Sequence, residues 1–347
     1  MIAMEVELKL LPRLVPSPLW NISLANLSKM DPRLARLWTD IKGIEEYINK
    51  LSTWWRSLER EGKCEICGVN KAKEIDEVWE YKISEEKGLA RLTGLKLVCD
   101  KCHLAIHLGY ASVIGKLQEA LHWLVQVNNI TLSEARTIKS EAFRKWDFLS
   151  SINKWTFDLS SLGEDFKVIE DLMNSMVKSS LYVIDKGFVW IAKHGCKDYE
   201  LDLNKTIKSV HEIDRLIEKA EKYGIRVMRR ELEFITSVLL SKVKKDRGML
   251  DLLRKHLIGK WMIFLPTMEA VSLFKRIAES IDKSPAKGAK TPIRRENRKV
   301  VIIYTKNFLD IENVYEVLQW LKSLNAKGIL YYKPDLFTQW GIYRGHK

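Results

Sequence analysis

Long hydrophobic runs are missing from this chain. No stretch approaches the ~18 consecutive apolar residues of a membrane-spanning helix, so no membrane partner is expected. The first ten residues, Met1-Ile-Ala-Met-Glu-Val-Glu-Leu-Lys-Leu10, alternate like a strand and lack the basic-then-apolar order of a secretory leader. Cysteine is scarce, with 5 in 347 residues, too few for a scaffold stapled by disulfides. Together these absences lead to the expectation of a cytoplasmic globular protein. Internal repeats and low-complexity tracts are absent as well. Glutamine occurs at only four positions, 118, 126, 319 and 339. Beside abundant Lys, Glu and Ile, that scarcity leans toward a thermophile. The length exceeds one ordinary core and implies two or three domains.

What is present in excess is positive charge, +13 overall, and it is unevenly spread. Residues 1–160 hold 23 Lys+Arg against 21 Asp+Glu, a net of +2, whereas residues 161–347 hold 35 against 24, a net of +11. Three clusters dominate the second part: one around Arg229 and Arg230, one around Lys244 and Lys245, and one from Lys283 to Lys299 that includes Lys290, Arg294, Arg295 and Arg298. Such a field attracts phosphate backbones without regard to sequence, and its pull weakens with salt. A nucleic acid or ribonucleoprotein is therefore the expected partner. The bland alternative is a solvated, lysine-rich surface.

Four of the five cysteines form two Cys-x-x-Cys pairs, Cys64/Cys67 and Cys99/Cys102, with 31 residues between the pairs. Two such knuckles make a complete tetrahedral ligand set for one Zn²⁺. A disulfide or a redox pair would use the same residues, but a redox pair follows a βα turn and neither pair has that setting. Cys196 lies apart and reads as an unpaired thiol. The second knuckle runs directly into His103 and His107, spaced i and i+4, which a helix would place on one face beside a second divalent metal. Between the knuckles, Ile75, Glu77, Trp79, Tyr81 and Ile83 alternate with other residues as in a strand. Leu89 to Val98 reads as a second strand, broken at Thr93-Gly94, and Asp100 to about Ala111 as a helix.

Cys-x-x-Cys, strand, strand and Cys-x-x-Cys-His-x-x-x-His resembles the HNH endonuclease family and its ββα-metal unit. The resemblance implies Asp76, His103 and His107 as ligands of a catalytic divalent metal. Two positions depart from the family. The general-base histidine is Glu77 here, and the asparagine that orients it is Gly94. A carboxylate is intrinsically a weaker base than imidazole, so the metal half of the site looks kept and the base half altered.

Along the rest of the chain, residues 1–30 read as a strand and an irregular arm containing Pro12, Pro16 and Pro18. Residues 31–61 read as helical, with Ile41, Ile44, Ile48, Leu51, Trp55 and Leu58 on a core-facing stripe. Helices are expected over about 111–127 and from Ser133, a candidate N-cap. A short strand at Trp155–Leu159 and a boundary at Ser160–Gly163 complete a first domain, 1–160. In the second, 161–347, the pattern predicts a helix over 166–177 and a hairpin around Asp185-Lys-Gly187. Two helices follow, about 205–223 and 229–255, then strands at 259–264, 300–305 and 329–333. Between these strands lie helices at 267–281 and 310–324. This alternation indicates an α+β class.

Gly259-Lys-Trp261-Met-Ile-Phe264, Gly288-Ala-Lys290-Thr, Val301–Thr305 and Tyr331-Tyr-Lys333-Pro-Asp335 through Tyr343-Arg344 resemble the Bles family (basophilic leukemia expressed protein). The resemblance implies a fold similar to that of the cap-binding translation initiation factor, a curved antiparallel sheet backed by helices. A concave sheet face suits base stacking with basic phosphate contacts. Trp261, Trp340, Lys333 and Arg344 are the expected residues of such a surface, with a core role for the tryptophans as the alternative.

Three functional classes follow. The first is a zinc-containing nucleic-acid-binding protein with a degenerate HNH-like module, associated with RNA or a ribonucleoprotein such as the ribosome. The second is a metal-dependent endonuclease using Asp76, Glu77 and His107. The third is a protein-interaction scaffold.

Overall fold

The computed structural model describes residues 8–59, 61–192, 258–308 and 310–335, together with residues 218, 222 and 338. The chain divides into two compact units, Met1–Ser180 and Leu181–Lys347. The expected boundary at Ser160–Gly163 moves twenty residues on. The Ser160–Gly163 segment is packed against the first unit, where the Ser161 hydroxyl donates to Leu92 O at 2.7 Å. No helix among the described residues is long and apolar enough to cross a membrane.

The first unit is built around a hairpin, β1 (Glu74–Ser84) and β2 (Lys87–Val98), with β3 (Lys154–Asp158) added parallel to β2. Glu85 and Glu86 both adopt positive φ, 48° and 62°. That is the backbone of a two-residue turn matched to strand twist. The break expected at Thr93-Gly94 is a bulge. Val78 pairs with Gly94 and Trp79 with Leu92, leaving Thr93 as the extra residue, and its hydroxyl donates to Val78 O at 3.0 Å.

Helices surround this hairpin. Residues 31–61 divide into a 3₁₀ segment and α2 (Ile44–Leu58), which follows the short α1 (Leu24–Lys29). Ile44, Ile48, Leu51 and Trp55 of the expected stripe are buried. The helix expected over 100–111 breaks at His107 into α3 (Asp100–Ile106) and α4 (Leu108–Val113), because His107 leaves helical geometry at φ −99°, ψ 59°. Helix α5 (Leu117–Asn128) ends on Asn129 in the left-handed region. Helix α6 (Leu132–Ser150) starts at Thr131, not Ser133. Thr131 and Glu134 form a reciprocal capping box, which satisfies two orphan donors at once. Helix α7 (Lys167–Lys178) packs on β3, where Asn174 accepts from Phe157 N at 2.7 Å and Glu170 from Leu159 N at 2.8 Å.

The second unit carries six antiparallel strands in the order β4-β5-β7-β8-β6-β9. They are β4 (Val183–Asp185), β5 (Phe188–Ala192), β6 (Gly259–Pro266), β7 (Gly288–Pro292), β8 (Arg298–Tyr304) and β9 (Ile329–Pro334). The first two form the expected hairpin, with Lys186 and Gly187 at φ 47° and 78°. Helix α8 (Thr267–Ser280) and helix α9 (Ile311–Ser323) carry the buried faces of this unit's core, and Asp310 caps α9 through Asn313 N at 3.1 Å. Gly259 is required by close approach, since a Cβ there would lie 1.8 Å from the Tyr332 hydroxyl. The two helices expected over 205–223 and 229–255 lie outside the described residues.

Asp158 ties β3 to the hairpin. It accepts from Ser160 N at 2.9 Å and from Arg91 Nε at 2.7 Å. Hydrogen bonds from Ser160 and the Arg91 guanidinium hold its carboxyl down at about 2. A depressed carboxylate stabilises the fold at any pH above the ordinary aspartate value and loses that contribution as pH falls toward its folded value. Asp158→Asn is expected to cost on the order of 1–2 kcal/mol at pH 7, after discounting for the half-exposed Arg91. The variant should also flatten the loss of stability between about pH 4 and pH 2. Urea denaturation across pH checks both.

Candidate metal centre and basic surface

The cysteine cluster begins with a tight loop. Cys64 O accepts from Gly68 N and Cys64 N donates to Asn70 O, both at 2.8 Å, and Gly68 takes φ 68°. These bonds turn Cys67 back beside Cys64. The loop is tied to β2 by Glu65 N donating to Leu97 O at 2.8 Å. Cys99 lies at the end of β2 as the N-cap residue of α3, and Cys102 sits in that helix's first turn. Hairpin and helix thus deliver four sulfurs within 4.8 Å of one another, and the cluster could hold a metal ion.

Hydrogen-bond donors reach the sulfurs, although burial raises the Cys102 thiol. Asn70 Nδ2 points at Cys99 Sγ at 3.6 Å, and Trp123 Nε1 donates to Cys102 Sγ at 3.2 Å. Burial alone would raise Cys67, but the backbone N–H groups of Asn70 and Val69 bring it down to about 7. Cys64, Cys99 and Cys102 are themselves members of the core that includes Leu10, Val98, Ile106, Leu121 and Leu124. The described cysteines form no disulfide. Cys196 lies outside the described residues.

Asp76, His103 and His107 also converge, with donor atoms within 4.8 Å of one another. Asp76 is on β1, His103 on α3, and His107 at the α3–α4 break, with the two imidazole centroids 4.7 Å apart. Burial, and then the neighbouring His107, lower the His103 pKa. Both oxygens of the Asp76 carboxylate are engaged. His107 Nε2 lies 3.0 Å from Oδ1, and Arg13 Nη2 contacts Oδ2. The Asp76 side chain is only 1% exposed.

Arg13 was not legible as a site residue. It arrives on the irregular N-terminal arm, which is pinned at three points. The buried Asn128 amide accepts from Leu10 N at 2.9 Å and donates to Leu10 O at 2.7 Å. Arg13 N donates to Ile106 O at 2.9 Å, and Trp146 Nε1 to Val15 O at 3.0 Å. An arginine following a proline in a loop carries no periodic signal.

Glu77, the expected base, is placed differently. Successive strand residues point to opposite faces, and no bulge separates it from Asp76. Its carboxylate accepts from Ala25 N at 2.9 Å, in the first turn of α1, and from Trp79 Nε1 at 3.1 Å. Burial raises it to about 7. It caps α1 instead of facing the Asp76–His107 pair. Gly94 pairs with Val78 and offers no side chain to orient a base.

Of the residues expected to bind nucleic acid, Trp261 is a core residue, 3% exposed, whose indole donates to Val314 O at 3.1 Å. The stacking role is therefore withdrawn for Trp261, and the core alternative holds. Lys333 is buried, and Lys290 is half-buried over aromatic rings. Both are poorly placed to grip a passing backbone. Arg294 and Arg295, between β7 and β8, and Arg298, the first residue of β8, are exposed, and Arg298 Nη2 also donates to Phe264 O at 3.0 Å. Arg229, Arg230, Lys244, Lys245, Trp340 and Arg344 lie outside the described residues.

Because three of the four sulfurs are buried core atoms, Cys64→Ser or Cys102→Ser is expected to abolish metal binding and unfold the first unit. Near-UV circular dichroism with elemental analysis of the purified chain is the check, and metal-free wild-type protein that stays folded would contradict it. Beyond this geometry, residues 196–341 match the family model described as basophilic leukemia-expressed protein Bles03, so the C-terminal part of the chain is similar to that family.

Proposed function

We propose that this chain is a zinc-stabilised nucleic-acid-binding protein, RNA- or ribonucleoprotein-associated, whose HNH-like unit binds and does not cut. Four thiolates within reach of one ion favour Zn²⁺, which takes Cys₄ sets in closed tetrahedral sites. Such an ion would supply structural cross-linking only, because a closed shell leaves no position for substrate. The single observation that carries the reading is the closure of Asp76. A carboxylate already bridging Arg13 and His107 has spent its charge on a guanidinium. The Glu77 and Gly94 positions offer no general base beside it. The basic field remains, and Arg294, Arg295 and Arg298 belong to its exposed part among the described residues.

Neutralising those three arginines together should weaken binding of unrelated RNA and DNA sequences about equally. The slope of log K against log salt should fall by roughly 2–3. Filter binding across a salt series measures this, and an unchanged slope excludes this loop from the interface.

The convergence of Asp76, His103 and His107 favours a second reading, a divalent-metal endonuclease. Here Arg13 would hold the carboxylate until a cation replaces it. Under the binding-module reading, wild-type protein takes up one equivalent of Co²⁺, with a thiolate spectrum. Arg13→Gln, which frees Asp76, should take up a second equivalent lacking sulfur-to-metal bands. A wild-type protein that binds two equivalents and nicks plasmid or structured RNA with Mg²⁺ or Mn²⁺, with His107→Ala inactive, would establish the nuclease instead.

A further inference from the structure

The six-stranded sheet has two unlike faces. One carries Val189, Ile191, Ala289, Val301, Ile303, Trp261 and Ile263, all buried apolar residues. Cross-strand partners share a face, so the pairings of Trp190 with Lys290, Lys260 with Tyr304 and Lys260 with Lys333 define the other. That face holds three lysines in a region where lysine is seldom buried. Lys260 and Lys333 stand directly opposite each other, 4% and 3% exposed. Like charges in that relation are destabilising.

The described carboxylates offset this only in part. Lys260 Nζ is bonded to Asp335 Oδ1 at 2.6 Å, and Lys333 has a partner of its own. Lys290 is different. Its ammonium lies 4.3 Å from the ring centres of Phe188 and Trp190 and 5.5 Å from that of Tyr304. No ion pair or hydrogen bond to a described residue accompanies those ring contacts. Trp190 and Tyr304 stack beside it, 5.9 Å apart and 6° from parallel. Burial and the Lys260 charge depress the Lys290 pKa, while Asp335 and Asp185 partly restore it. Lys290, Trp190, Tyr304 and Asp335 are all partly exposed, so the cluster opens to solvent on this side.

From this arrangement we infer an anion site in the second unit that takes the phosphoryl group of a phosphate ester. Lys290 binds its oxygens, the buried Lys260 adds positive charge beside it, and the Trp190–Tyr304 stack contacts the organic part. Lysines present compact point charges, which suit phosphoryl oxygens, whereas planar carboxylates are better matched by the arginine fork. Asp335 is a positioning residue that orients Lys260. The site uses neither the cysteine cluster nor the arginine loop.

Inorganic phosphate is the first probe, added to the full chain at constant ionic strength. Wild-type protein should bind it by calorimetry, and Lys290→Gln should bind at least tenfold more weakly. The variant with Arg294, Arg295 and Arg298 neutralised should bind as wild type does. In ¹³C-methyl-lysine spectra, the signal lost in Lys290→Arg identifies Lys290, and its pKa should rise when phosphate is added. A packing role alone would not move that titration, and this readout does not depend on the folding of Lys290→Gln. An oligonucleotide with hydroxyls at both ends separates the two sources of phosphate. Competition by it assigns the site to a nucleic-acid backbone, and its failure to compete assigns a small phosphate ester. No phosphate binding by wild type at millimolar concentration, equal binding by Lys290→Gln, or an unmoved Lys290 signal would each overturn the site.

Discussion

The first unit depends on the convergence of four cysteine sulfurs. Cys64 and Cys67 lie on a loop before the hairpin, and Cys99 and Cys102 lie where the hairpin passes into α3. The sulfurs share a core with large side chains such as Leu10, Val98, Ile106, Leu121 and Leu124 and small ones such as Ala105, Ala111, Ala120 and Ala135. An ion held by the four thiolates would add cross-links to that core. Folding and metal binding would then be one equilibrium. This accounts for buried, hydrogen-bonded sulfurs in the centre of a core.

The cluster also fixes what lies next to it. Cys102 and His103 are neighbours in α3, so clamping the helix start places His103 against β1 and Asp76. The break at His107 then turns the second imidazole onto the same carboxylate. A metal-ligand geometry arises here almost as a by-product of the structural clamp. What it does chemically is decided by Arg13, a residue from a separate segment. A guanidinium beside a buried carboxylate satisfies it with directional hydrogen bonds and no open coordination position. A divalent cation would leave positions for substrate. Whether a cation could reach these three side chains therefore depends on one arm of irregular chain.

The second unit solves a different problem. Its helix-backed face is mostly apolar, and the lysine it does carry, Lys299, is buried at the strand end with its ammonium on the Pro292 and Arg294 carbonyls. Lysines at alternate positions of β6, β7 and β9 gather on the other face because the strand period is two. The antiparallel register then brings Lys260 opposite Lys333. The reading of Trp261 as a stacking residue failed for the same reason. One position from Lys260, it points into the core.

Much of the fold was legible in the sequence alone. The two knuckles, the alternation through β1, the break at Thr93-Gly94 and the buried stripe of α2 are all local patterns, and local sterics and hydrogen bonding settle them. The α+β class follows from their order. Alternation along β1 places Glu77 on the face opposite Asp76, where it accepts from Ala25 N. Other features could come only from the tertiary structure. Arg13 reaches Asp76 across 63 positions of sequence, and Asn128 holds Leu10 across 118. Contacts of that range leave no trace in a window of neighbouring residues, because packing of separate segments, not chain periodicity, selects them. The sequence by itself determined which side chains were available to bind a metal or a phosphate. Packing decided which of them meet, which are buried, and whether Asp76 faces an open site or a guanidinium.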